Sequence, residues 1–170
     1  MLHHETREIF VIGLKNAHAM ESQALSIMKP QLSRIENYPE VATKLEQHLR
    51  ETEGQIVRIE EMLAGLDENP STIKDMALSL TGAMAAMSHT VAGDEILKDS
   101  FANFAFENFE IAAYKSLLTL AEAGGHNAAA LLLQANLSEE VAMAKWLDEN
   151  IVTLTTKFLR LREAGETAKV

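Results

Sequence analysis

Four glutamates stand in or beside stripes of apolar residues: Glu21, Glu51, Glu110 and Glu140. Glu21 and Glu51 are as far apart as Glu110 and Glu140, and each pair is centred on a break signal, Asn37-Tyr38-Pro39 for the first and Gly124-Gly125 for the second. Two helical hairpins would therefore bring the members of each pair to one height on facing helices. No residue three or four places from any of the four is Lys or Arg, so no cation on the same helix face answers these charges. Buried carboxylates gathered without cations raise one another's pKa unless protons are shared or a metal ion restores the balance. Both outcomes are open on spacing alone. Oxygen donors suit hard cations, and two such carboxylate sets suit a pair of iron or manganese ions. Glu60, Glu61 and Glu68, by contrast, read as ordinary acids on solvated faces.

The elements that must position these groups are all helical. Phe10, Leu14, Ala17, Ala24, Met28 and Leu32 recur at three- and four-residue steps, the stripe of an amphipathic helix from about Arg7 to Arg34, and Glu21 takes a seat in it. Pro30 is expected to loosen its last turns. A second helix, about Pro39 to Leu66, carries Val41, Leu45, Leu49, Ile56, Ile59 and Leu63. His48 falls inside that stripe and Glu51 at its margin. Asp67 to Ser71 offers a stop and a new N-cap. A crossing helix is expected over Ile73 to Val91, where the methionines read as core filler. Glu95 to Ala123 is apolar on nearly every side around Phe101, Phe104, Phe106 and Phe109, more than one bundle face can bury. A covering third helix or a homodimer related by a two-fold axis would account for the surplus. The last helix, about Asn127 to Leu161, sets Glu140 among Leu133, Leu137, Ala144, Leu147, Ile151 and Leu154. Without strand signals, the reading is all-α: a four-helix bundle of two long hairpins with an additional crossing helix between them. Residues 1–162 form one domain, and 163–170 are expected to fray.

Composition narrows the function. A formal net charge of -10 and the absence of clustered Lys and Arg disfavour nucleic acid. Without cysteine there are neither disulfides nor thiolate metal sites, so any metal binds oxygen or imidazole. The start Met1 to Glu8 has no cationic, apolar leader pattern and no apolar run is long enough to span a bilayer, which predicts a cytoplasmic protein without membrane contact.

Several stretches resemble a single family: Ala17-His18-Ala19-Met20-Glu21, Asn37-Tyr38-Pro39-Glu40, His48-Leu49-Arg50-Glu51-Thr52, Phe106 to Ala112, and Glu139-Glu140 with Trp146-Leu147. They are similar to the bacterial YciE and YciF proteins, more closely the YciE branch, along nearly the whole chain. The resemblance implies a ferritin-like bundle that dimerises and is associated with stress responses, and it leaves the activity open. In the broader ferritin-like pattern two helices give one Glu each and two give Glu-x-x-His. Glu21 and Glu110 match the single glutamates, and Glu51 and Glu140 match the first residue of the paired motif. The histidine positions are Gly54 and Met143 here, which puts a full dinuclear site in question. His48 and Glu107, one turn earlier on the same faces, are candidate replacements, as is His18, although His18 reads first as a hydrogen-bonded bundle histidine. The metal-ligand set expected is Glu21, Glu51, Glu110 and Glu140 with His48 and Glu107. The rival is a non-enzymatic helical dimer that keeps the bundle, has lost metal binding and works through a partner.

Overall fold

The structure, a computed structural model, describes residues 2–68 and 92–170. Among them are four helices: α1 (Leu2–Arg34), α2 (Pro39–Ala64), α3 (Glu95–Gly124) and α4 (Asn127–Glu163). The crossing helix expected over Ile73 to Val91 lies outside the described residues. The all-α bundle read from periodicity is what forms. Its boundaries follow the local chemistry. Pro39, whose fixed φ suits a first turn and whose missing N–H is no loss there, sits at the start of α2. Gly125 ends α3 in the left-handed region at φ 73°, a conformation glycine adopts without cost. Pro30 is inside α1, which continues to Arg34.

Each hairpin packs on itself, α1 on α2 and α3 on α4, and the hairpins join through α1 with α3 and α2 with α4. Going round the bundle the order is therefore α1, α2, α4, α3. Phe10, Leu14, Met20, Ile59, Leu63, Leu133, Met143 and Leu154 are fully buried between them. Each such side chain contributes on the order of 1.5–3 kcal/mol through lost apolar exposure. Gly13 lets α1 and α3 approach closely, since a Cβ there would stand 2.7 Å from a methyl carbon of Leu117.

The tail does not follow the expectation of fraying. Ala168 is buried, and its carbonyl accepts a 2.7 Å hydrogen bond from the hydroxyl of the fully buried Tyr38. Asn37 donates to the carbonyls of Thr167 and Val170, and the Ile96 amide donates to Lys169. Small, polar residues look loose in sequence. Here their backbone supplies acceptors for the α1–α2 turn and the first turn of α3, which composition alone does not reveal. Of the four phenylalanines in α3, Phe106 is buried while Phe101, Phe104 and Phe109 are exposed. No helix among the described residues is long and apolar enough to cross a membrane.

Candidate metal centre

Three helices bring four ligand-type side chains together. His48 comes from α2, Glu107 and Glu110 from successive turns of α3, and Glu140 from α4. One potential ligand atom from each lies within 4.8 Å of the others, and all four residues are buried. His48 is the hinge of the arrangement: Nε2 stands 3.3 Å from Glu107 and 3.6 Å from Glu140, while Nδ1 is 3.1 Å from Glu51. The i, i+3 step from Glu107 to Glu110 sets both on one face of α3.

Donors answer only some of these carboxylate oxygens. Neither oxygen of Glu110 has a hydrogen-bond partner, and one oxygen each of Glu21, Glu107 and Glu140 is likewise buried and unpartnered. Burial, and then the neighbouring charge of Glu21, Glu140 and Glu107, drives the Glu110 carboxyl well above its ordinary range. Burial and the charges of Glu107 and Glu21 do the same to Glu140. Burial lifts Glu21 to about 8 although a hydrogen bond from Tyr114 works against it. Burial alone would strip His48 of its proton, yet hydrogen bonds to Glu107 and Glu51 and the surrounding carboxylates outweigh it and push the imidazole up to about 10. Protons and one imidazolium thus hold the metal-free cluster together. A cation fits the same set, because inward-facing acceptor oxygens without donors are what a hard ion requires, and imidazole suits iron and manganese. Glu107 also lines, with Ala24, Met28 and Phe106, a cavity of about 10 Å³, room for about one water.

Of the residues expected from sequence, Glu110, Glu140, His48 and Glu107 meet at this point. Glu21 is fully buried beside them but stands outside the group, its Oε1 accepting a 2.5 Å hydrogen bond from the Tyr114 hydroxyl. Glu51 is partly exposed and touches the group only through His48. His18 turns to Glu60, 3.0 Å away, and does not join. Periodicity missed a second set. Gln55, Asn136 and Tyr114 are fully buried, and Arg58 bonds Asn136 and Glu139. The inward seat on α2 after Thr52 is Gln55, not Ile56, which is only partly covered. An apolar stripe favours isoleucine over glutamine, so it places the seat one residue late. The recoverable signal is the series His48, Thr52, Gln55, Ile59, whose helical spacing is as regular as that of the leucines.

A four-helix bundle with carboxylates converging on its core from facing helices has the ferritin-like arrangement. The chain belongs to the family described as domain of unknown function DUF892, whose model matches residues 5–160. It is 30% identical to protein YciF of Escherichia coli over 143 residues, 79% of this chain and 83% of that one. Among solved structures it is similar to a protein of Xanthomonas campestris pv. campestris at 32% identity and a TM-score of 0.78, over 93% of this chain and 99% of the other. The E. coli stress protein YciF overlays with a TM-score of 0.66 at 25% identity, over 87% of this chain and 97% of its own. The YciE/YciF resemblance of the motifs is thereby met.

Proposed function

We propose that this chain is a stress-linked, cytoplasmic ferritin-like protein that holds iron or manganese through His48, Glu107, Glu110 and Glu140, with Glu21 and Glu51 beside them. One observation carries the reading: five carboxylate oxygens are buried at one place without a hydrogen-bond donor, four of them on members of a group that also offers an imidazole. An iron or manganese ion there would supply one-electron redox chemistry toward oxygen or peroxide. The chain's part is to fix the ligands: Glu51 holds the His48 ring at Nδ1, leaving Nε2 toward Glu107 and Glu140, and the apolar walls of the bundle keep bulk water out. Purified protein exposed to Fe(II) without oxygen is expected to take up metal, and the Glu110→Ala/Glu140→Ala double variant to lose that uptake. Unchanged stoichiometry in the variant would overturn the reading.

A second reading has its own support, the hydrogen bond from Tyr114 to Glu21, which is how a bundle that had exchanged metal for a polar core would treat its glutamates. In that case the chain acts as a helical homodimer through partner contacts. Adding Fe(II) or Mn(II) then leaves the melting temperature unchanged. A homodimer is compatible with either reading, and the exposed Phe101, Phe104 and Phe109 support it. Sedimentation at micromolar concentration should give a species near twice 18.8 kDa. A charged replacement at Phe109 should weaken it, whereas a single monomeric species refutes it.

A further inference from the structure

Beside the cluster runs a chain of hydrogen bonds. Tyr114 donates to Glu21, and Asn136 donates 3.0 Å to the Tyr114 oxygen. Arg58 donates to Asn136 through Nε and to Glu139 through Nη2. The Gln55 amide nitrogen donates both to Glu139, at 3.0 Å, and to Oε1 of Glu140. From Glu21 to Glu140 every link is an O–H or N–H aimed at an acceptor. In these bonds the Tyr114 hydroxyl and the Gln55 amide nitrogen occupy carboxylate oxygens that a cation would otherwise take.

This bears on how many ions the bundle can take, and so rests on the metal reading above. Two neighbouring ions need carboxylates that present both oxygens, yet Oε1 of Glu140 is taken by Gln55 and Oε1 of Glu21 by Tyr114. In the paired Glu-x-x-His pattern they also take a second imidazole. At Gly54, where the paired Glu-x-x-His motif would put one, the neighbouring space is filled by the Arg58 guanidinium, whose nitrogens and central carbon lie 3.6 to 4.0 Å from where a Cβ would stand. At the other such position, Met143 is fully buried. The positive charge that a second ion would contribute is already present as Arg58, fixed by Asn136 and Glu139.

We infer that this bundle is a one-ion site: a single divalent cation is held by His48, Glu107, Glu110 and Glu140, and the Arg58 guanidinium with Gln55, Asn136 and Tyr114 stands in place of the second. Arg58 is on this account a specificity-determining residue, setting metal number rather than touching the ion. A guanidinium does this better than lysine would, because its planar fork can bond an amide oxygen and a carboxylate at once and never gives up its charge.

The test is a count. Wild-type protein titrated without oxygen with Mn(II), and separately with Fe(II), should bind one equivalent per chain, and bound Mn(II) should give the resolved six-line electron paramagnetic resonance spectrum of an isolated ion. The Gly54→His/Arg58→Ala variant, with folding checked by circular dichroism, should bind a second equivalent and show the broadened spectrum of two coupled ions. Two equivalents with a coupled spectrum in the wild type would overturn the one-ion inference and leave the metal reading standing. No uptake by the wild type would remove the metal reading and this inference with it. Because the wild-type count decides, a variant that fails to fold does not shield the inference.

Discussion

Glu95 and Glu110 are the same residue type on the same helix, and both side chains are fully buried, but they meet opposite fates. Glu95 opens α3 and is met by Arg34 at 2.6 Å and Lys169 at 3.0 Å. Burial raises its pKa, and the hydrogen bonds from Lys169 and Arg34 more than offset that, leaving the carboxyl below its ordinary value. The first turn of a helix adds a favourable field. Glu110 sits mid-helix, has no donor on either oxygen, and faces Glu21, Glu107 and Glu140. Burial therefore does not separate the two carboxylates. The two differ in whether burial meets an answering donor: the Arg34, Glu95 and Lys169 clamp ties three chain segments together, whereas neither oxygen of Glu110 has a donor.

The largest effect that separates the two is on metal. Replacing Glu110 by Gln should weaken Fe(II) or Mn(II) binding on the order of 100-fold or more, since even outer residues of metal sites cost 10- to 100-fold. The same change should leave the metal-free melting temperature unchanged or higher, because neither Glu110 oxygen has a donor to lose and Gln cannot ionise beside Glu21, Glu107 and Glu140. Replacing Glu95 by Gln should do the reverse. Metal affinity stays as it was, and stability falls by roughly 2 kcal/mol, below the cost of breaking a fully buried pair because Arg34 and Lys169 are partly exposed. For a chain of this size that is a fall of about 4–8 °C. If both substitutions destabilised alike, the distinction between answered and unanswered carboxylates would fail.

The tail supplies the next test. Deleting Ala168 to Val170 leaves the buried Tyr38 hydroxyl without its acceptor and Glu95 without Lys169. A buried polar group left unpaired costs about 1–3 kcal/mol. Calorimetry of the shortened chain should show a loss of that order, and metal stoichiometry should be untouched.

Which of these contrasts could be read in the sequence depended on where each partner lay. Glu110 and Glu140 were legible because they interrupt apolar stripes and because helix geometry fixes their own neighbours, none of them basic. His48 and Glu107 were legible as same-face residues one turn away. Glu95 was not, since both its cations come from distant segments, Arg34 and Lys169, and no periodicity links residue 95 to residue 169. Arg58 escaped for the same reason: local spacing searched α1, α2, α3 and α4 each alone, whereas Arg58 acts across to Asn136 and Glu139 on α4. The bundle itself was readable throughout because amphipathic stripes are local. Glu51 shows the limit of symmetry: equal distance from the turn puts it at the right height, but its rotation about α2 leaves it partly exposed while Gln55 faces inward.

Acid should erase one half of the contrast. The folded pKa of Glu95 lies below its unfolded value, so its contribution to stability is complete above the unfolded pKa and disappears as pH falls through the folded one. The difference in melting temperature between wild type and Glu95→Gln should accordingly be full at about pH 6 and shrink by about pH 3. Because the comparison is with a variant lacking only this carboxyl, other acids that titrate in the same range cancel. A gap that stayed constant would mean that Glu95 matters through shape rather than charge.

The smallest effect belongs to a third carboxylate, one that has a cation but no burial. Glu53 lies 3.2 Å from Lys29, and both side chains are more than half exposed. Water already solvates both charges, and holding two long side chains together costs rotamer freedom, so such pairs contribute about 0–1 kcal/mol, less as salt rises. Glu53→Gln should shift the melting temperature by no more than about 2–4 °C, and added salt should remove even that. A cation at hydrogen-bonding distance is the common feature of Glu53 and Glu95; the desolvation of the carboxylate is what differs. If Glu53→Gln cost as much as Glu95→Gln, ion pairing alone would explain the clamp. A near-zero result assigns the difference to burial, and leaves Glu110, buried and unanswered, as the carboxylate available to a metal.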